Sequence, residues 1–264
     1  MLLSIGVHAE APQRVLSVNL CTDQILLALA APEQIVAVST LADDPLLSNY
    51  VEQAKRYPQV GKDAEQIAGF MPDLILATNY TDPVLSNWLR RFDYPIKAYT
   101  LPDTLVAVDD YIVDVAARLG REKSGEKLAE QYNQRLTLIE AVLPPVSVVV
   151  IAANLYVAGK GTFPDQILSR MGAVNAAAST LTSGWGYISL EQLLHWQPDY
   201  IILQRDSANG ASRAEQVLNH RVMRTALSRS QFIDVPAKQW ICAGPELMDA
   251  AETIKQQIMY YEGQ

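Results

Sequence analysis

The sequence predicts an α/β fold made of two similar lobes, each built on a parallel sheet. The first observation behind this prediction is a pair of near copies, because residues 65–76 recur as residues 191–202. The second is a shorter pair, residues 23–26 and 165–168, which precede the long copies in the same order. Motifs repeated in one order indicate two lobes with a common plan.

Each long copy has the pattern of a short helix, a Pro-Asp stop and a short apolar strand. Apolar runs predict strands at 14–18, 34–38, 73–77 and 96–99 in the first lobe, and at 146–151, 199–203 and 232–235 in the second. Helices are predicted at 23–31, from about 85, from about 105, at 165–171 and at 245–257. Alternating strands and helices favour parallel sheets covered on both faces.

Residues 120–143 predict a single long helix between the lobes. Apolar side chains recur there at helical spacing, and the segment lies between Gly120 and a Pro-Pro pair. At 1.5 Å per residue this helix would be roughly 35 Å long, and one rigid helix favours modest opening of the lobes. The predicted division is a truncated signal segment (1–9), an N-terminal lobe (10–119), the interlobe helix (120–143) and a C-terminal lobe (144–264).

The composition excludes several classes of protein. The 264 residues are 49% hydrophobic, which is too apolar for a disordered chain. Acidic residues number 29 against 21 basic ones, without a cluster of basic residues near aromatic ones, so nucleic acid is not an expected partner. No apolar stretch reaches the ~18 residues of a membrane span. We expect a soluble mature chain that acts as a monomer.

The N-terminus resembles the end of a secretory signal. Residues 2–7 are apolar, and Val7-His8-Ala9 has the small-x-small pattern of a cleavage site. The basic region of such a signal is absent, so either the start is misplaced or the segment is an ordinary one. No lipid-attachment cysteine is visible there. We expect export and a free periplasmic protein.

The two cysteines, Cys21 and Cys242, allow three interpretations. They suit an oxidising compartment if they form a disulfide, and they are otherwise two separate buried thiols. Cys21 also opens a predicted helix, where a thiol can be activated, but no histidine is placed to serve as its base. Three histidines and no G-x-S-x-G motif argue against catalysis and against a resident metal or cofactor.

Aromatic side chains dominate the predicted loops after the strands. Ligands of parallel sheets bind beyond the carboxyl ends of the strands, so these loops are the candidate site. Aromatic rings in glycine-flanked loops suit a large, flat or bulky ligand, and Lys160 and Arg205 are placed to satisfy its polar edge. The alternative is that Trp185 and Trp240 cap the core of their lobe. The candidate aromatic residues are Tyr80, Tyr156, Trp185, Tyr187 and Trp240.

Glu65 and Glu191 open the two long copies, so each lobe presents a carboxylate in an equivalent place. An acidic residue in a first helical turn is also worth ~0.3–1 kcal/mol through the helix dipole. The dipole explains each glutamate separately, but not the shared Gln, Pro and Asp, which a duplication would explain.

Together these features resemble the periplasmic substrate-binding proteins of cobalamin and ferric-siderophore ABC importers. The resemblance rests on the repeated element, residues 14–17, residues 159–162 with 171–175, and the interlobe helix, and it covers about 14–258. It implies a helical-backbone periplasmic binding protein fold and no enzymatic activity. It also implies that Glu65 and Glu191 dock onto arginines of a membrane permease, and that Trp240 and Tyr156 stack against the ligand.

Two residues depart from the pattern of that family. Glu246 follows the Gly-Pro turn where a basic residue is common, and Cys21 stands where small polar residues are usual. Both departures bear on which ligand is bound.

The expected function is that of a solute-binding component of an ABC importer. It would capture a bulky metal chelate in the interlobe cleft and deliver it to the permease. A corrinoid is the first choice because the predicted cleft is aromatic and poor in positive charge; a ferric siderophore or haem is the alternative, since Arg205 would pair with a carboxylate. Other classes left open are a cysteine-dependent enzyme or redox module, and a sensor that docks a receptor.

Overall fold

The structure, a computed structural model, describes residues 10–205, 225 and 227–263. The first sheet comprises β1 (Val15–Ser17), β2 (Ile35–Ser39), β3 (Gln59–Val60), β4 (Leu74–Thr78) and β5 (Ile96–Tyr99). The accompanying helices are α1 (Leu20–Leu29), α2 (Val51–Ala54), α3 (Ala64–Gly69), α4 (Pro83–Arg91), α5 (Val108–Arg118) and α6 (Glu122–Leu138).

The second sheet comprises β6 (Ser147–Ala152), β7 (Tyr156–Ala158), β8 (Val174–Asn175), β9 (Trp185–Tyr187), β10 (Tyr200–Arg205) and β11 (Gln231–Pro236). Its helices are α7 (Phe163–Met171), α8 (Leu190–Trp196) and α9 (Leu247–Glu262). Short 3₁₀ turns lie at Pro32–Gln34, Leu105–Ala107, Ala153–Leu155, Ala176–Ser179 and Ala237–Gln239.

The chain divides into two compact units. The first contains the residues up to Asp43 together with Tyr50–Thr100 and Asp110–Leu128, and the second contains Asp44–Asn49, Leu101–Asp109 and the chain from Ala129 onward. The segment Leu101–Asp109 is held within the second unit by side chains on α6 and α7. The Tyr132 hydroxyl donates to Leu105 O at 2.8 Å, and Gln166 Nε2 donates to Asp103 O at 2.7 Å.

The sheet of the first unit has the order β3-β2-β1-β4-β5, and all of its strand pairs are parallel. Its central strands are apolar on both faces, and β4 is buried along its whole length. This is the pattern expected of a parallel sheet that helices cover on both sides. The predicted α/β class with two parallel-sheet lobes is confirmed.

The sheet of the second unit has the order β11-β10-β6-β7-β9, with β8 beside β6. Its pairs are parallel except those that β7 makes with β6 and β9, which are antiparallel. The prediction that Tyr156, Trp185 and Tyr187 lie in loops was therefore wrong, because all three belong to strands. The Trp-Gly-Tyr alternation of β9 is the period of two that is typical of a strand, and the flanking glycines obscured it.

The long helix α6 has 17 residues and is shorter than the predicted segment 120–143. It ends at Leu138, and the chain then turns through Ala141, whose φ is 48°. A positive φ is incompatible with a right-handed helix, so the turn ends α6 before the Pro-Pro pair does. Among the helices that the structure describes, none is both long and apolar enough to cross a membrane.

Candidate functional site

Three aromatic rings line up on one face of β7 and β9, and we call Tyr156, Trp185 and Tyr187 the aromatic ladder. Tyr156 lies directly opposite Tyr187 in the antiparallel register, and Trp185 is two residues away on the same face. The Tyr156 ring centroid is 4.8 Å from that of Tyr187 and 5.4 Å from that of Trp185. The strand period of two therefore assembles the three rings into one surface.

The aromatic ladder is accessible to solvent. The Tyr187 side chain is 71% exposed, and Tyr156 and Trp185 are half-buried. Contiguous exposed aromatic surface is unusual on a protein that binds nothing, and ring faces of this kind stack on flat apolar ligands.

The strap at Gly159 and Lys160 closes one end of the aromatic ladder. Gly159 N donates to Gly184 O at 2.9 Å, and Lys160 N donates to Leu181 O at the same distance. A Cβ atom on Gly159 would lie 2.5 Å from Gly184 O, so only glycine permits this close approach. The Lys160 side chain is exposed, and it lies two residues beyond the strand partner of Trp185.

The two repeated glutamates occupy equivalent positions in the first turns of α3 and α8. The cap of α3 is Asp63, whose carboxylate accepts from Glu65 N at 2.9 Å, and the cap of α8 is Ser189, whose hydroxyl accepts from Gln192 N at 3.2 Å. Both glutamates are exposed. The pKa of Glu191 is lowered because its own backbone N–H and then Ser189 donate hydrogen bonds to the carboxylate.

The aspartates of the two Pro-Asp stops have one structural role in both units. Asp73 accepts from Gln13 N at 2.7 Å and from Arg14 N at 2.9 Å, and Asp199 accepts from Ser147 N at 2.7 Å. In each unit the aspartate thus clasps the backbone at the start of the central strand. We call this contact the aspartate clasp; it explains why the Asp is repeated without any role in ligand binding.

The aspartates of the shorter repeat also organise strand ends, but in different surroundings. Asp23 is fully buried and accepts from the backbone N and the hydroxyl of Ser39. Its pKa is raised to about 6, because burial disfavours the charged carboxylate more than the hydrogen bonds stabilise it. Asp165 is partly exposed and accepts from Gly161 N at 2.8 Å and Asn175 Nδ2 at 2.9 Å.

The remaining candidate ligand residues belong to elements other than β7 and β9. Trp240 is 4% exposed, and its Nε1 atom has no hydrogen-bond partner among the described residues. Tyr80 belongs to the first unit, follows β4 and is 76% exposed. Arg205 is the last residue of β10, and its side chain lies outside the described part of the chain.

Neither Cys21 nor Cys242 is a free thiol, and each is disulfide-bonded. Cys21 lies in the first turn of α1, where its backbone N donates to the Asn19 side chain at 3.0 Å. Over residues 10–205 and 227–263, three or more His, Cys, Asp or Glu side chains nowhere converge as a metal site would require.

Sequence reasoning missed one feature of this site, the small residue that holds the aromatic ladder against its neighbouring loop. A Cβ atom on Gly186, the middle residue of β9, would lie 2.8 Å from Leu181 Cδ2. The absence of a side chain therefore lets Leu181 pack against the strand. The signal was present in the Trp-Gly-Tyr alternation, because a glycine inside a strand often marks a close approach.

Comparison with known proteins shows which family this chain belongs to. The sequence model described as periplasmic binding protein matches residues 15–238. The vitamin B12-binding protein of Pectobacterium atrosepticum is 28% identical over 269 residues, which cover 98% of this chain and 92% of that protein.

Solved structures show the same fold. The periplasmic haem-binding protein HutB of Vibrio cholerae matches with a TM-score of 0.79 at 22% identity, over 93% of this chain and 98% of its own. The periplasmic vitamin B12-binding protein BtuF of Vibrio cholerae matches with a TM-score of 0.73 at 22% identity, over 96% and 99%. The family match spans most of the residues, including both sheets and the aromatic ladder, and the chain belongs to the periplasmic binding protein family.

Proposed function

We propose that this protein is the periplasmic solute-binding component of an ABC importer, and that it captures a bulky metal chelate with a flat apolar face. The observation that carries the proposal is the aromatic ladder, which offers three rings on one accessible face. Such a surface gains from burial against a flat ligand and contributes stacking of about 0.5–1.5 kcal/mol per aromatic pair beyond that burial. The protein acts as a monomer in this proposal.

A corrinoid is the first-choice ligand. The aromatic ladder carries no charged side chain itself, and a corrin ring offers a broad face for stacking. The similarity to the vitamin B12-binding protein of Pectobacterium atrosepticum supports the same choice. Tyr80 and Trp240 remain proposed ligand residues, and the low exposure of Trp240 favours a role behind the contact surface.

Haem or a ferric siderophore is the second candidate, and the exposed Lys160 beside the aromatic ladder favours it. A lysine ammonium pairs with the carboxylates of haem or of a carboxylate siderophore. Arg205 is proposed for the same role. The similarity in fold to HutB is compatible with this candidate.

Delivery to the permease is proposed to depend on Glu65 and Glu191. Both carboxylates are exposed at the first turn of a capped helix, and the protein carries a formal net charge of −8. Acidic side chains on an acidic protein steer its encounter with a basic partner surface. The two glutamates would pair with arginines of the permease.

Members of this family are substrate-binding transport proteins rather than enzymes, so we do not propose the cysteine-dependent enzyme or redox module. We propose instead that Cys21 and Cys242 pair with each other. The measurement is alkylation of the purified protein before and after reduction, and modification of either cysteine before reduction would contradict the pairing.

Intrinsic tryptophan fluorescence tests the proposed function. The purified protein is titrated with cyanocobalamin, haem, a ferric hydroxamate and a ferric catecholate. Saturable quenching by one of them at submicromolar concentration is expected, because Trp185 lies in the aromatic ladder.

Two variants show which tryptophan is quenched by the ligand. Trp185→Phe keeps an aromatic ring and is expected to lose most of the quenching while still binding. Trp88→Phe alters a tryptophan of the first unit that packs against Phe92, and it serves as the control. A folded protein that responds to none of the four probes would refute the proposal.

A further inference from the structure

Four hydroxyl side chains lie on an exposed segment that leads into the aromatic ladder. Ser179, Thr180, Thr182 and Ser183 are all exposed, and Leu181 between them is partly buried in the core of the second unit. We call residues 179–183 the hydroxyl segment. It presents hydrogen-bonding groups to solvent over its whole length.

The hydroxyl segment is fastened to the aromatic ladder. Leu181 packs against Gly186, where an added Cβ atom would lie 2.8 Å from Leu181 Cδ2. Leu181 O accepts from Lys160 N at 2.9 Å, and Gly184 N donates to Lys160 O at 3.0 Å. The hydroxyl segment is thus packed against β9 and hydrogen-bonded to Lys160, which follows β7.

The hydroxyl segment is also fastened to the helix that carries Glu191. Gln192 Nε2 donates to Thr180 Oγ1 at 3.3 Å. Ile188, which directly follows β9, is 8% exposed and belongs to the same core cluster as Leu193 of α8. Only three residues separate Tyr187 from Glu191.

For the equivalent helix of the first unit, the described residues show no such connection. Helix α3 follows β3, and β3 consists of Gln59 and Val60 without an aromatic side chain. Within the described part of the chain the Gln66 side chain, the counterpart of Gln192, hydrogen-bonds to backbone: its Nε2 donates to Gln59 O at 3.4 Å, and its Oε1 accepts from Gly61 N at 3.5 Å. The helix that carries Glu191 is therefore connected to an aromatic surface, whereas the helix that carries Glu65 follows a strand without aromatic side chains.

We propose that the permease-contact surface of the second unit extends from Glu191 over the hydroxyl segment, and that ligand on the aromatic ladder alters this surface. The partner chemistry is a basic surface with hydrogen-bonding side chains, because a carboxylate and four hydroxyls accept hydrogen bonds from arginine and lysine. The inference rests on the proposed function. The contact through Glu65 is independent of ligand.

Hydrogen–deuterium exchange of the full-length protein tests the coupling to ligand. Exchange is measured with and without saturating cyanocobalamin, and in parallel with haem, after binding has been established by fluorescence. Amides of residues 179–195 are expected to slow at least about twofold, while residues 59–69 stay unchanged. Gln192→Ala should remove the slowing at Thr180 and its neighbours without changing affinity, and Gln66→Ala is the matched control in α3.

Charge insertion tests the extent of the surface. The double variant Thr182→Lys/Ser183→Lys places positive charge opposite a basic partner, so stimulation of the reconstituted permease ATPase is expected to fall about tenfold. Ser169→Lys changes an exposed hydroxyl residue of α7 in the same unit and should have no effect.

The outcomes separate this inference from the proposed function. Binding of a probe with unchanged exchange at 179–195, or with equal slowing in both copies, would overturn the coupling and leave ligand capture intact. Normal stimulation by the double-lysine variant, together with loss of stimulation in Glu191→Lys, would overturn the extended surface and leave glutamate docking intact. Failure of every probe to bind would overturn both.

Discussion

Helices α3 and α8 are two copies of one sequence element, and they share their skeleton but differ in their surroundings. Each begins at a polar cap, presents a glutamate in its first turn, and ends at a Pro-Asp stop whose aspartate clasps a central strand. The neighbours of α8 include the aromatic ladder and the hydroxyl segment, whereas α3 follows a two-residue strand without aromatic side chains. The shared aspartates thus maintain the fold, the shared glutamates are the proposed docking residues, and the unshared surroundings carry the proposed ligand specificity.

Charge reversal at the two glutamates is expected to have the largest effect. Glu65→Lys/Glu191→Lys should abolish stimulation of the permease ATPase, because both proposed contacts with arginines become repulsive. Ligand affinity should stay intact, since neither side chain belongs to the aromatic ladder. The single variants show whether the two copies contribute equally. Unchanged transport by the double variant would remove the docking proposal.

The buried carboxyl group of Asp23, in the first short repeat, is expected to make the stability of the protein depend on pH. Its folded-state pKa of about 6 lies above the reference value of 3.8, so its carboxyl favours folding at low pH. That contribution is complete below pH 3.8 and is lost as the pH rises through 6, a difference of about 3 kcal/mol. Asp23→Asn should flatten the unfolding free energy between pH 4 and 7, as measured by urea denaturation.

Ser39→Ala sharpens this prediction. The variant removes a hydroxyl that stabilises the Asp23 carboxylate, so the loss of stability should move to higher pH. A pH profile that is the same in wild type and Asp23→Asn would show that this carboxyl is not responsible.

Truncation within the aromatic ladder is expected to have an intermediate effect. For whichever probe binds, Trp185→Ala should lower the affinity at least about tenfold, or 1.4 kcal/mol, because it removes one ring face. Trp88→Ala removes a tryptophan from the first unit and should leave affinity unchanged. Isothermal titration calorimetry gives both values, and equal affinities in the two variants would place the ligand elsewhere.

Removal of the aspartate clasps is expected to have the smallest effect. Asp73→Ala deprives two backbone N–H groups of their acceptor and Asp199→Ala deprives one, each loss costing about 0.5–1 kcal/mol at an exposed site. Urea denaturation should rank Asp73→Ala as the less stable variant. The reverse order would show that the number of backbone N–H groups held does not determine how much each clasp stabilises the fold.

Most of the fold could be predicted from the sequence, because the strongest signals in the sequence are local ones. The duplicated Pro-Asp element and the apolar runs predicted the central strands of both sheets within one or two residues. The antiparallel strands β7 and β9 were not predicted, because each has only three residues and lies next to a glycine. The alternation of side chains over three residues is too short to identify a strand. The end of α6 escaped because Ala141 adopts a positive φ without a glycine to signal it.

For the candidate site, the sequence identified residue types but not their arrangement. Tyr156, Trp185 and Tyr187 were each candidates, yet only the strand register places their rings on one face. The low exposure of Trp240 agrees with the alternative that it caps the core of its lobe, an alternative that the residue type alone could not decide.

The aspartate clasp has a consequence for how the chain folds as it is made. It joins residues 60 apart in the first unit and 52 apart in the second, so each is a long-range contact that closes a loop of the chain. During synthesis Asp73 emerges well before β6 exists, and the first clasp forms without competition from the second copy. Refolding from denaturant removes this order, and the two similar segments can then exchange strands, a misassembly typical of repeated elements.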